Sequence, residues 1–428
     1  MLRDNQRVGT AQTNGRVEPP VPFQSRNRAI KLLLFLVSAA LSAVVILTFD
    51  YYYTAALQGS VVSGGAQGYC FAPRDPVRFF ALSPNCSCIR LWGKSSYPMF
   101  TNNLGFRDDR VRDVPLTDAK PRVLILGDSH AEGMTAWEDT FVGRIAANFP
   151  QYDFLNGSMG AYSPSNYLNT ARIVFEKGVE IDDVIVFIDI SDAQDEAALY
   201  RDKDASGAVA GLGRKFTSNT RYSKLRQWVT KHLLITDDIV EFVERNLVRL
   251  GYYHLDRGDG GNEFDQERGA WTYRKVSDTE PFETGYAPLG LEGGIAKEKS
   301  KMTLLWQELE KRDIPISVVV YPHPAQVLHD TADSRQVRIW REWCAGKCKR
   351  FISLFPSFLA VKEQCPQSQP GCWYLSHFVF GDTHYNAAGN ALVADVVIKS
   401  LEETPPAKRQ QGSGQRSADN NRVQKTSP

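Results

Sequence analysis

The chain of 428 residues is 43% hydrophobic, 23% charged and 11% aromatic. This ordinary globular mixture excludes a disulfide-built miniprotein, a collagen-like chain and a wholly disordered one. Lys and Arg number 50 against 49 Asp and Glu, a formal charge of +1, so no global basic field points to nucleic acid.

Charge is nonetheless uneven. Residues 1–31 carry +4 and residues 404–428 another +4, which leaves the stretch between them at −7. Residues 1–28 are polar and are expected to be a disordered tail. Leu32 to Phe49 reads LLLFLVSAALSAVVILTF, eighteen residues without a charge. At about 1.5 Å per residue it reaches roughly 27 Å, enough for a bilayer core. A buried core helix would carry a polar stripe, and this run has none. A cleaved signal peptide would have a shorter run and a small-x-small site; here Asp50-Tyr51-Tyr52-Tyr53 follows, and tyrosines suit a membrane–water interface. The pattern predicts an uncleaved anchor over residues 29–49. Arg26, Arg28 and Lys31 stand just before the run and no Lys or Arg follows until Arg74. The positive-inside rule then places the N-terminus in the cytoplasm and the rest outside, in a bacterial periplasm beyond the inner membrane.

Residues 50–95, with three cysteines and several prolines, read as an irregular extracytoplasmic neck. From residue 96 to 403 the pattern is α/β. Val123-Leu124-Ile125-Leu126, Val184 to Ile188 and Ile316 to Tyr321 are short apolar runs, the signature of buried parallel strands. Helical stretches between them include Thr140 to Asn148 and Ala296 to Arg312, the latter with Met302, Leu305 and Leu309 on one face. Strands alternating with helices imply a parallel sheet covered on both sides, with ligands beyond the carboxyl ends of the strands. Residues 200–290 interrupt the rhythm as an insertion or lid. Within it, Arg221 to Leu250 reads as two helices with Leu225, Val229 and Leu233, then Ile239, Val243 and Leu250, at helical spacing; Arg257 to Asn262 is Gly/Asp-rich. The tail from Thr404 to Pro428 has three apolar residues in 25 and is expected to be disordered.

Of seven cysteines, Cys365 and Cys372 flank a Pro/Gly-rich loop that a disulfide could close. Cys344 and Cys348 could pair as well, although i,i+4 on a helix is awkward; one cysteine stays unpaired in the monomer. No spacing matches a zinc site, and no metal or other cofactor is expected.

Four short motifs carry chemistry. Gly127-Asp128-Ser129-His130 directly follows the first strand. Asp128 and Ser129 there serve either as a plain helix cap or as a nucleophile at the sheet edge. Asn156-Gly157-Ser158-Met159-Gly160 follows the expected strand Tyr152 to Leu155. It is either a turn or a place where backbone N–H meets a ligand. Asp189-Ile190-Ser191-Asp192 ends the second strand. Gly381-Asp382-Thr383-His384 precedes an apolar run, Ala391 to Ile398. A serine hydroxyl needs a histidine to take its proton and a carboxylate to orient that histidine; Asp382 and His384 supply both from one loop. His130 adjoins Ser129 but points elsewhere on a helix. His323 and Gln326, after the third strand, are candidates to line the pocket with Asp128, His130 and Asp192.

The ordered set resembles the SGNH/GDSL hydrolase superfamily, over about 100–200 and 290–400. The resemblance implies a flavodoxin-like three-layer fold with Ser129 as nucleophile, His384 as base and Asp382 as its orienting acid. It also implies an oxyanion hole from Ser129 and Gly160, with Ser191 where the family has asparagine and Asp189 where it has glycine. Asn102 to Arg107 (NNLGFR) resembles the segment that often precedes the first block in bacterial members. The Asp-x-His spacing, in place of Asp-x-x-His, is similar to the branch with alginate O-acetyltransferases and peptidoglycan O-acetyl-modifying enzymes. That branch implies O-acyl transfer or ester hydrolysis on a cell-surface polysaccharide, with a carbohydrate substrate and a polytopic O-acyltransferase as acyl donor. The alternatives are a catalytically inactive SGNH fold used as a carbohydrate-binding or scaffold protein, and a lipid esterase held at the membrane. Exposed apolar residues on the insertion would favour the last.

Overall fold

A computed structural model describes residues 23–63, 70–92, 95–203, 208–211, 228–253, 267–273 and 285–407. Residues 1–22, most of the tail after Thr404, Leu225 and the Gly/Asp-rich stretch at 257–262 lie outside the described residues. The described residues open with helix α1 (Phe23–Ser63), whose segment Ile30–Ala56 is apolar and long enough to cross a membrane; the most apolar eighteen-residue window within it is not buried against the rest of the chain.

Residues 70–101 are regular where the sequence reading expected an irregular neck. They form β1 (Phe71–Asp75), β2 (Phe79–Leu82), β3 (Ser87–Trp92) and β4 (Ser95–Thr101). β1 pairs with β2 in a separate ribbon, while β3 and β4 form a hairpin that joins the main sheet through β5 (Arg107–Asp108). The expected boundary at residue 95 therefore falls inside that hairpin. The Cys70–Cys86 disulfide ties its base to β1, and Cys88 is the free, buried cysteine.

The main sheet has eight strands. Its parallel part comprises β6 (Arg122–Leu126), β7 (Asp153–Asn156), β8 (Asp183–Ile188), β11 (Ile316–Val320) and β12 (Cys348–Ser353); β9 (Tyr200–Asp202) and β10 (Val209–Gly211) form another small ribbon. The full order is β12-β11-β8-β6-β7-β5-β4-β3. Counted along the chain, the five parallel strands lie in the order 2-1-3-4-5, the flavodoxin-like arrangement. The strand order reverses between β6 and β8, so a crevice opens there beyond their carboxyl ends. β12 was not foreseen, because the adjacent charges Lys349 and Arg350 break the apolar run that marks the other parallel strands; charged side chains of this kind suit an edge strand.

Alternation along the strands divides the interior. Leu124, Leu126, Val184, Val186, Val318 and Val320 face one core, covered by α4 (Pro164–Glu176), α8 (Gly290–Glu310) and α10 (Arg335–Cys344). Val123, Ile125, Ile185, Phe187 and Val319 face the other, covered by α3 (Phe141–Asn148), α11 (Phe355–Glu363), α12 (Cys372–His377) and α13 (Ala387–Glu403). The short helices α2 (Ser129–Glu132), α5 (Ser191–Gln194), α7 (Glu267–Ala270) and α9 (Pro324–His329) sit at or near the strand ends. α6 (Leu234–Arg249) packs on α1 and α12. Cys365–Cys372 is bridged, as is Cys344–Cys348. The latter avoids the awkward helical geometry because Cys344 ends α10 and Cys348 starts β12, with Gly346 at φ +73° turning the chain between them.

Leu124 is fully buried at the centre of the parallel strands. Leu124→Ala should lower unfolding free energy by about 2–5 kcal/mol in urea titration; a loss under about 1 kcal/mol would mean that the layers collapse to fill the space.

Candidate active site

β6 ends at Gly127, where a Cβ would meet that of Ala131 at 2.7 Å and that of Phe187 at 3.2 Å. Only glycine lets the chain turn back so tightly into α2. Asp128 caps that helix, accepting the His130 amide at 2.9 Å, so the capping role read from the sequence is real and coexists with the chemistry beside it. Ser129 follows. Its Oγ lies 2.8 Å from His384 Nε2, and His384 Nδ1 lies 2.6 Å from Asp382 Oδ1. The carboxylate holds the proton on Nδ1, which leaves the Nε2 lone pair facing the serine hydroxyl. Ser129 Oγ also lies 3.2 Å from Asp128 Oδ2; its single hydrogen has the shorter path to His384.

The loop that carries Asp382 and His384 is clamped on several sides. The Tyr374 hydroxyl accepts the amides of Gly381 (2.8 Å) and Asp382 (3.1 Å). Val379 N donates to His384 O at 2.8 Å. Asn386 caps α13 through the amides of Ala388 and Gly389. Asp382 receives a further bond that no local motif announced: Trp92 Nε1 donates to its Oδ2 at 2.6 Å. The Trp92 ring also stands edge-on to His384 at 4.8 Å. Burial would raise the Asp382 pKa, but His384 and the Trp92 indole outweigh it and hold the carboxyl well below its usual range.

Gly160 stands beside Ser129, where a Cβ placed on it would lie 3.6 Å from the serine Cβ. Its amide, however, donates to Glu132 Oε2 at 2.7 Å, and the other Glu132 oxygen pairs with Arg90 from β3. Ser191 differs from its expected oxyanion role. Its hydroxyl and its amide both donate to Asp189 Oδ1 at 2.7 Å, because the glycine-to-aspartate change puts an acceptor under them. Both donors are spent there.

The candidate pocket residues Asp128, His130, Asp192, His323 and Gln326 are all buried, hydrogen-bonded within the protein rather than exposed at its surface. Tyr321 donates to Asp128 at 2.6 Å, Tyr167 to Asp192 at 2.9 Å, and Gln326 to Gln336 at 2.9 Å. His323 Nε2 meets Asp189 Oδ2 at 2.6 Å. His130 Nε2 meets the Thr383 carbonyl at 3.1 Å, and its ring stacks on His384 at 4.5 Å. Burial, with Asp189 and Asp128 nearby, pushes Asp192 well above the usual carboxylate range. Burial pushes the His130 pKa down, but Asp128 and Asp189 prevail and raise it. By donor type, His130, Asp189 and His323 could hold a metal, since their ligand atoms lie within 4.8 Å of one another; the Asp189–His323 contact is already a hydrogen bond. A polar cleft of about 910 Å³ around Arg112, Arg144 and Tyr152 contains none of the triad residues.

Glu132, Arg90, Trp92 and Tyr374 were missed from the sequence. Glu132 lies one helical turn past Ser129, which was a usable signal. Arg90 and Trp92 gave none, because the strand that brings them in was read as neck.

No protein-family profile matches the chain, and no curated protein does. Several solved structures are similar. A member of the lipolytic protein G-D-S-L family from Veillonella parvula aligns at 10% identity and TM-score 0.32, over 66% of this chain and 98% of its own. A GDSL-like lipase from Bacteroides thetaiotaomicron aligns at 10% identity and TM-score 0.31, over 68% and 92%. A mutant acetyl-xylooligosaccharide esterase from Geobacillus aligns at 10% identity and TM-score 0.32, over 69% and 100%. The chemistry of the site is read from its own geometry.

Two outcomes test that geometry. Trp92→Phe keeps a ring against His384 and removes only the bond to Asp382. It should lower Ser129-dependent ester hydrolysis about 10- to 100-fold, the value of a hydrogen bond to a charged group; unchanged turnover would make Trp92 a packing residue. The raised His130 pKa stabilises the fold fully below its ordinary value of 6.5, and that contribution is lost as pH rises through the folded value. The melting-temperature gap between the native chain and His130→Asn should therefore narrow as pH rises above the ordinary histidine value of 6.5; a constant gap would assign His130 to packing alone.

Proposed function

We propose that this chain is an extracytoplasmic, serine-dependent O-acyl (acetyl) esterase or transferase that acts on carbohydrate. The observation that carries the proposal is the unbroken chain from Asp382 through His384 to Ser129, with contacts of 2.6 and 2.8 Å. In the first half-reaction Ser129 Oγ bonds to the acyl carbon while its proton passes to His384 Nε2. The ester C–O bond then breaks, and the leaving alcohol takes that proton from His384. In the second, an acceptor O–H gives its proton to His384 Nε2 as its oxygen bonds to the acyl carbon; the acyl–Oγ bond then breaks and Ser129 Oγ takes that proton back. Water as acceptor gives an esterase; a sugar hydroxyl gives a transferase. Both use the same residues.

The tetrahedral intermediate needs donors for its oxygen. The Ser129 and Gly160 amides are the candidates, and Glu132 holds the second. On this reading Glu132 is displaced toward Arg90 when the oxyanion forms, at some cost to the rate. Residues 30–56 support a membrane anchor by length and apolarity. A polysaccharide substrate, a periplasmic site and a polytopic acyl donor follow from the resemblance of the Asp-x-His block. A second reading, an esterase acting on lipid at the membrane, is favoured by one observation: Ile239, Phe242 and Val243 of the insertion are exposed.

The test gives the native chain and Ser129→Ala an activated acetyl ester, with and without oligosaccharides, and follows product mass. Ser129-dependent acetate release marks an esterase, and Ser129-dependent acetyl gain on sugar marks a transferase. Identical traces from two folded proteins would remove the catalytic reading and leave a binding or scaffold role. Glu132→Gln should keep Ser129 dependence and raise turnover of the activated ester by about tenfold, equivalent to about 1.4 kcal/mol of transition-state stabilisation. A fall in turnover with the fold intact would show that the Glu132 charge assists the reaction.

A further inference from the structure

Helix α6 is turned the wrong way for a soluble protein. Asp237, Glu244 and Val248 are buried, while Ile239 (58%), Phe242 (67%), Val243 (50%) and Leu250 (58%) are exposed. At about 100° per residue these four apolar side chains fall within an arc of roughly 100°, a stripe along the helix interrupted by Asn246. The sequence places Ile239, Val243 and Leu250 at helical spacing without deciding what they face; in the structure all three are exposed.

What covers the stripe is indicated by the start of α6, which is fastened to α1 near the outer end of its apolar segment. Asp50 is fully buried and accepts the amides of Ile235 (2.9 Å) and Thr236 (2.7 Å) and the Thr236 hydroxyl (2.7 Å). Thr54 Oγ1 accepts the Leu234 amide at 3.0 Å. The Tyr51 ring stacks on His232 at 6.0 Å, and Trp228 lies 5.2 Å from His232. Tyr51, Tyr52, Tyr53 and Trp228 are exposed, the amphipathic rings that settle at a bilayer's headgroup level. The stripe begins at Ile239, three residues beyond the Asp50 clamp, so the two apolar surfaces are continuous.

We propose that α6 lies along the surface of the bilayer that α1 crosses, with its stripe buried among phospholipid chains at the headgroup boundary. The proposal rests on reading residues 30–56 as a membrane anchor. Docking also fixes the height of the active site. At the far end of α6 the Val248 carbonyl packs against Gly371, where a Cβ would come within 1.8 Å of it. Gly371 starts α12, whose Tyr374 holds the Asp382 loop. One bilayer contact therefore positions the triad relative to any acyl donor or acceptor delivered from the membrane.

The test uses the full chain in vesicles of phosphatidylethanolamine and phosphatidylglycerol. Single cysteines at Val45→Cys, Phe242→Cys and Asp238→Cys carry a bimane label, read against an unsubstituted blank. Quenching by doxyl-labelled phospholipid is compared with quenching by aqueous iodide. Lipid quenching should be strong at residue 45, and at residue 242 at least about twofold stronger than at 238, on the polar flank of the same helix. Quenching at 45 with no difference between 242 and 238 would overturn the docking while leaving the anchor in place. No quenching at 45 would overturn both. A label at 242 shielded from lipid and iodide alike would identify a protein as the occupant and overturn the proposal. Turnover of a soluble activated ester by each labelled chain confirms its fold, since none of the three positions touches the triad. Phe242→Asp should retain that turnover and increase deuterium uptake along α6 in vesicles; unchanged uptake would count against the docking.

Discussion

A carboxylate taken out of water keeps its charge only where donors replace the water, and the arrangement of this site follows from how Asp382 is supplied. Trp92 Nε1, His384 Nδ1 and the amides of Thr383 and His384 all converge on it. Their convergence sets the tautomer of His384, and the tautomer aims a lone pair at Ser129. Two of the amide donors come from the loop that carries the acid itself. The indole comes from β3, nearly three hundred residues earlier in the chain. The strand hairpin before the parallel sheet is thus part of the candidate site: without it, Asp382 would lose a donor and His384 a wall.

Beneath the triad, burial sorts the charges. Asp128 is held well below its ordinary range, despite its burial, by His130, Tyr321 and His384. Asp192, with a single tyrosine donor and two acids nearby, is pushed well above it. These opposite directions reflect local supply: bonds from charged or well-placed donors favour the charged form of one acid, and burial beside other acids favours the neutral form of the other. His130 links the two levels. Its ring stacks on His384 while its Nε2 meets the carbonyl of Thr383, so the layer below holds the Asp-x-His loop in place from behind. Glu132 sets the opposite bias, presenting a carboxylate to the amide that an oxyanion would use.

The same economy extends to the membrane side. Asp50 closes the apolar part of α1 and caps α6, so one buried acid joins an anchor-like helix to the insertion. α6 packs on α12, and α12 holds the triad loop through Tyr374. The apolar helix α1, the insertion and the candidate site form one connected series, although they are widely separated along the chain.

Much of this was legible in the residues. Short apolar runs ending in Gly127 or Pro322 marked buried parallel strands, because only a strand covered on both faces lacks polar alternation. The ordered motifs, through the resemblance they carry, assigned Ser129, Asp382 and His384 to one site, although only Ser129 follows a strand; Asp382 and His384 lie in the loop between α12 and α13. The eighteen-residue uncharged run marked the anchor candidate, and cysteine arithmetic marked one unpaired thiol. Tertiary structure alone decided the rest. Trp92 and Arg90 reach the site because β3 joins the sheet edge, a pairing set by long-range hydrogen bonds that no local pattern encodes. Ser191 lost its expected role because Asp189 lies within reach of its hydroxyl. The stripe on α6 reads the same in sequence whether it faces a core or a bilayer; periodicity defines a face, and only the packing of neighbouring elements determines what that face meets.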